Sequence, residues 1–141
     1  MIKNIFLVDD DKDDQQFFVE ALKRIGNTKL YGIAGNGKEA LNTLKSAQTL
    51  PDFIFMDFNM PIMNGVECLY ELSNLCRTKH IPVIMLSSAI EQAEACRKFG
   101  AKEFIKKTYE IGALIIELQR VINSGITVNY LITDRMYLPP K

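Results

Sequence analysis

The chain has 141 residues, with 17 Lys plus Arg against 17 Asp plus Glu, so no net charge draws it as a whole to nucleic acid or to an anionic membrane. Its length suits one domain that buries about two thirds of its unfolded surface. Only four apolar residues, Ile5 to Val8, stand between the Lys3-Asn4 pair and the first aspartates, and no apolar stretch approaches the roughly 20 residues that span a bilayer. Neither a signal peptide nor a membrane segment is therefore read, and the cytoplasm is the expected location.

Along the chain, strand and helix patterns alternate five times. Ile2 to Val8 reads as the first strand, and Asp13 to Ile25 as a helix with Phe17, Phe18, Ala21, Leu22 and Ile25 at helical spacing. Gly26-Asn27 stops it. Leu30 to Ala34 is a weaker second strand, and Lys38 to Ala47 a helix with Ala40, Leu41 and Leu44 inward. Pro51-Asp52 marks a turn before the third strand, Phe53 to Met56, and Asn64 to Leu75 forms the third helix. Ile81 to Leu86, Ile90 to Phe99, Glu103 to Lys106 and Glu110 to Asn123 complete the alternation. Strands separated by helices of this length imply right-handed parallel crossovers, with helices covering both faces of one sheet. The expected architecture is a doubly wound, five-stranded α/β fold.

Two of these strands, Ile5-Phe6-Leu7-Val8 and Phe53-Ile54-Phe55-Met56, end abruptly in acid: Asp9 and Asp10 after the first, Asp57 after the second. Continuous apolar runs are typical of strands buried on both faces, and the C-terminal ends of such strands form the ligand-binding edge of a parallel sheet. If the two strands are neighbours, three carboxylates share one crevice, each close pair repelling by roughly 1 to 4 kcal/mol at surface-like dielectric. A cation relieves that repulsion, and an all-oxygen site suits Mg²⁺. Asp11, Asp13 and Asp14 are read differently, as acids that cap a helix N-terminus and face solvent. Cys68, Cys76 and Cys96 lack metal-ligand spacing and read as reduced core residues.

Val8-Asp9-Asp10-Asp11 closing strand one, Asp57-Phe58-Asn59-Met60-Pro61 with Gly65 after strand three, Ser87 after strand four and Lys107 after strand five fall in order at four strand ends. Together they resemble the receiver domain of two-component response regulators, of the chemotaxis-regulator type, over about Ile2 to Asn123. The similarity implies the flavodoxin-like strand order 2-1-3-4-5, with strands one and three adjacent at the switch point. It also implies roles for single residues. Asp57 would be the phosphoacceptor, a carboxylate nucleophile that forms an aspartyl phosphate with Mg²⁺. Asp10, Asp57 and the backbone carbonyl of Asn59 would bind the metal, with Asp9 holding a metal-bound water. Ser87 would meet a phosphoryl oxygen, in preference to its neighbour Ser88. Lys107 would pair with Asp57 and then with the phosphoryl group, and its rival Lys106 would share a strand face with Phe104. Phe104 matches the aromatic switch position, although a phenyl ring without a hydroxyl also reads as plain core.

The family commonly has Lys-Pro with a cis bond where this chain has Lys107-Thr108. A cis bond before Thr costs about 2.5 to 4 kcal/mol, so trans is expected. Near the phosphoryl position, Ala89 is small and apolar and cannot orient an attacking water, so no especially fast self-dephosphorylation is expected.

The resemblance ends near Asn123. In segment 124–141, Ile126, Val128, Tyr130 and Ile132 alternate with Thr127, Asn129, Leu131 and Thr133, a pattern that fits an added edge strand, a homodimer arm or a tail laid over the surface. The implied function is a single-domain response regulator that catalyses only its own phosphorylation and dephosphorylation. Its implied partners are a sensor histidine kinase or a histidine phosphotransfer protein, and a downstream protein target. The alternative is an aspartyl-phosphate phosphohydrolase of haloacid dehalogenase type, but such enzymes place a second acid where this chain has Asn59. A flavin-binding reading of the same fold meets Asp9 and Asp10, which would repel a flavin phosphate.

Overall fold

A computed structural model of the protein describes residues 1–123. The predicted tail of 124–141 lies outside the described residues. Five parallel strands, β1 (Lys3–Val8), β2 (Thr28–Ala34), β3 (Phe53–Asp57), β4 (Val83–Ser87) and β5 (Glu103–Lys106), form one sheet in the order β2-β1-β3-β4-β5. The strand order is the expected one. Helices α1 (Lys12–Lys23), α2 (Gly37–Ser46), α3 (Gly65–Ser73), α4 (Ala93–Lys98) and α5 (111–123) connect and close it.

The apolar stripes sort the helices into two layers. Phe18, Ala21 and Leu22 of α1 and Leu114, Leu118 and Val121 of α5 pack on one face of the sheet. Ala40, Leu41 and Leu44 of α2, Cys68, Leu69 and Leu72 of α3 and Cys96 of α4 pack on the other. β1 and β3 lie between them with Ile5, Leu7, Val8, Ile54, Phe55 and Met56 completely buried. This two-sided burial is why those strands read as unbroken apolar runs.

Side chains set the helix starts. The Asp11 carboxylate accepts the Asp14 N–H at the head of α1, and Asn36 accepts the Glu39 N–H at the head of α2. Asn64 and Glu67 form a reciprocal capping box at α3.

Three expectations are corrected here. The third helix stops at Ser73, where the Ser73 hydroxyl donates to the carbonyls of Leu69 and Phe99 and Asn74 caps the end. Cys76 falls in the turns beyond it and is exposed, so only Cys68 and Cys96 are core thiols, which burial pushes up to about 12 and about 11. The fourth helix is not continuous: Ile90–Gln92 is a 3₁₀ turn, and α4 proper has six residues. The Ile90 N-cap, Ala89, offers no side-chain oxygen to start an α-helix there.

Candidate functional site

Strand register places the acids. Val8 pairs with Met56 across β1 and β3, so Asp9, one residue on, comes level with Asp57. Asp57 pairs with Leu86 and Ser87 with Lys106, which carries the same edge through β4 to β5. Asp9 and Asp57 are buried while Asp10 is exposed, and one carboxylate oxygen from each of the three lies within 4.8 Å of the others. This all-oxygen donor set, two members of it buried, fits a divalent metal ion.

The α3 connection closes tightly on this edge. The Gly65 N–H donates to the Phe58 carbonyl, and a Cβ at Gly65 would come within 2.5 Å of the Asp57 carbonyl oxygen and 2.7 Å of Met85 Cε. Glycine lets α3 begin against the strand that carries Asp57. Between them, the Met63 N–H donates to the Pro61 carbonyl across Ile62, which sits at a φ of 69°, a strained γ-turn for a β-branched residue.

Lys107 is the counter-charge. Its ammonium reaches back over β4, with Nζ 3.1 Å from Asp57 Oδ1, 3.5 Å from Asp9 Oδ2 and 2.8 Å from Asp14 Oδ2. Lys107 follows the last residue of β5, yet its side chain is only 16% exposed. It shares strand parity with buried Ile105 and so turns to the α1 face, whereas Lys106 is exposed. The Lys107–Thr108 bond is trans, as expected.

Burial pushes the Asp9 carboxyl up to about 6; the Asp11 N–H and Lys107 oppose that rise, and the charges of Asp57 and Asp14 add to it. Asp57 is also held above the ordinary carboxylate range, first by burial and then by Asp10, against the pull of Lys107. For Lys107, burial alone would lower the pKa, but the hydrogen bond to Asp14 and the charges of Asp57 and Asp9 prevail and raise it. The ammonium is firmly protonated, and the carboxylates still carry uncompensated repulsion.

Ser87 is the buried serine of its pair and Ser88 the exposed one. The Ser87 hydroxyl donates to Gln92 Oε1 at 2.8 Å and accepts the Ala89 N–H at 3.1 Å, so it is tied to the 3₁₀ turn before α4. Phe104 is half-buried against the α2, α3 and α4 layer. Asn59 is exposed two residues beyond Asp57, and Ala89 is half-buried.

Asp14 corrects the assignment of three capping acids to solvent. Asp11 does cap α1 and Asp13 is exposed, but Asp14 makes the shortest of the Lys107 ion pairs. The signal lay in the helix pattern: Asp14 is four, seven, eight and eleven residues before Phe18, Ala21, Leu22 and Ile25, on the same inward stripe. Gln15 was also passed over; it is buried and donates to the Asp9 carbonyl at 2.6 Å.

A family model of the response regulator receiver domain matches residues 5–119. The chain belongs to this family. It is 31% identical over 120 residues to the sensor histidine kinase CheAY of Helicobacter pylori, covering 84% of this chain but 15% of that protein. Among solved structures, the phosphorylated cyanobacterial phytochrome response regulator RcpA superposes with a TM-score of 0.79 at 26% identity, over 90% of this chain and 96% of that one. The Mn²⁺-bound form of response regulator Rcp1 gives 0.73 at 27% identity, over 86% and 92%. The protein is thus a receiver domain of two-component response regulators, and the match does not favour the phosphohydrolase reading. Among the described residues of the receiver, no helix is long and apolar enough to cross a membrane.

Proposed function

We propose that this receiver accepts a phosphoryl group on Asp57 from a phosphohistidine of a sensor kinase or phosphotransfer protein, and that the modified state changes its protein contacts. The observation that carries this reading is the Lys107 ammonium 3.1 Å from Asp57 Oδ1, at the strand edge where Asp9 and Asp10 gather.

A carboxylate oxygen of Asp57 attacks phosphorus, the P–N bond to the donor imidazole breaks, and the imidazole leaves with its electron pair. The buried, fixed ammonium of Lys107 faces the charge that develops on the transferred oxygens, and phosphoryl transfer depends mainly on such placement. Asp10, Asp57 and the Asn59 carbonyl would hold Mg²⁺, with Asp9 acting through a bound water, and the ion would supply charge neutralisation to the phosphoryl oxygens. The Ser87 hydroxyl then exchanges its bond to Gln92 for a phosphoryl oxygen, which frees the 3₁₀ turn ahead of α4, and Phe104 follows into the vacated space. The receiver catalyses no other reaction than its own phosphorylation and dephosphorylation.

Incubation with Mg²⁺ and acetyl phosphate tests the reading by intact-mass measurement. One phosphoryl group per chain is expected, lost in Asp57→Asn while the circular dichroism spectrum is kept. Labelling of the variant at the native rate, or rapid turnover of many phosphoesters by the native protein, overturns the assignment.

A further inference from the structure

We propose that Asp14 is the positioning residue that holds the Lys107 ammonium in place through the whole phosphorylation cycle; this rests on the reading of Asp57 as phosphoacceptor. A lysine stem has four rotatable carbons and gives up rotamer entropy when it is fixed, so something must hold it. Lys107 leaves the end of an edge strand of four residues and has to reach over β4 to face Asp57. Its three ammonium protons meet three carboxylates, at 2.8 Å from Asp14, 3.1 Å from Asp57 and 3.5 Å from Asp9.

These anchors differ in what the reaction does to them. The Asp57 carboxylate is consumed, because one of its oxygens becomes the ester oxygen of the acyl phosphate and its negative charge passes outward to the phosphoryl group. Asp9 belongs to the cluster with Asp10 and Asp57 that fits a cation. Asp14 stands outside that cluster, and the transfer forms no bond to it.

Asp14 is also well seated for the task. Its N–H is bound by the Asp11 carboxylate at 2.9 Å, and its position in the first turn of α1 is favourable for a negative charge. The side chain is 18% exposed, and Phe18, Leu86 and Ile105 line the small cleft at whose polar end Asp14 and Lys107 meet. Apolar walls keep solvent from screening the pair, so the contact is stronger than a surface ion pair. When Asp57 is esterified, the ammonium stays on the α1 side of the pocket, with a proton free to bind a phosphoryl oxygen.

The test is a cycle of variants: native protein, Asp14→Ala, Lys107→Ala and the double variant, each labelled with Mg²⁺ and acetyl phosphate. Asp14→Ala is expected to slow labelling of Asp57 about tenfold, the range of a charge-assisted hydrogen bond, and to change the rate by less than about twofold where Lys107 is already Ala. Asp14→Asn, which keeps the shape and one acceptor, is expected to fall between. An equal loss in both backgrounds shows that the charge of Asp14 acts without the lysine and overturns the proposal, as does an unchanged or faster rate in Asp14→Ala. A second readout needs no chemistry: the ¹⁵Nζ signal of Lys107 is expected to be sharp in the native protein and to be lost to exchange in both Asp14 variants, and its persistence counts against the anchor. Native protein that is not labelled on Asp57 removes the phosphoacceptor reading itself, and this proposal with it. Native labelling that is insensitive to position 14 removes only the anchor.

Discussion

At the C-terminal ends of β1 and β3, an apolar pair and a pair of repelling acids stand one residue apart. Val8 and Met56 are paired, completely buried and apolar; Asp9 and Asp57, the next residues, are also buried but carry carboxylates that repel one another. Burial of the first pair releases free energy as apolar surface leaves water. Burial of the second costs it, since charge is removed from water, and among the described residues one ammonium, that of Lys107, returns the interaction. The receiver is therefore stabilised by its strands and destabilised by their ends. A cation or a phosphoryl group has something to act on because that repulsion is held in place by the core beneath it.

The contrast breaks most visibly in the core. Phe55→Ala, at a position 0% exposed and ringed by Phe18 and Phe53, is expected to lose about 3 to 5 kcal/mol of unfolding free energy in a urea titration. The edge answers with a smaller effect of a different kind. The folded-state pKa of Asp9 is raised to about 6 from 3.8, so the folded protein binds a proton more tightly than the unfolded chain between those values. Without divalent ions, stability is thus highest below about pH 4 for this group and declines as pH rises through about 6, by on the order of 1 to 3 kcal/mol. Mg²⁺ added at pH 7.5 is expected to restore part of that loss as a higher melting midpoint, and to do little at pH 4.5; a midpoint indifferent to Mg²⁺ at pH 7.5 argues against a metal among these carboxylates. The smallest effect on phosphorylation belongs to Ser87→Ala. It leaves Asp57, Lys107 and Asp14 untouched, so labelling is expected to stay within about threefold of native while the resonances of Ile90–Gln92 no longer shift on labelling. A full shift in the variant would cut Ser87 out of the switch.

The two regions were unequally legible. Strands β1, β3 and β5 could be read almost to the residue, because burial on both faces or the bounding turns leave an uninterrupted local signal. α4 was misjudged because Ile90 and Phe99 suggest one helix, whereas its start depends on a cap that Ala89 cannot supply. Cys76 was placed in the core by extending a helical period past Ser73, where side-chain bonds to Leu69 and Phe99 end it.

By itself, the amino-acid sequence determined the alternation of strands and helices, the apolar stripes that bind them into layers, and the acids that must stand at two strand ends. Those follow from periodicity and from the sign of transfer free energies, which are properties of neighbouring residues. That Lys107 is held by Asp14 as well as facing Asp57 was decided only by the tertiary structure. It meets Asp14 across 93 residues of chain because strand parity turns it toward α1, where an N-terminal cap holds that helix in place. No local pattern records a contact of that separation, since it exists only once register and layer have been set by packing.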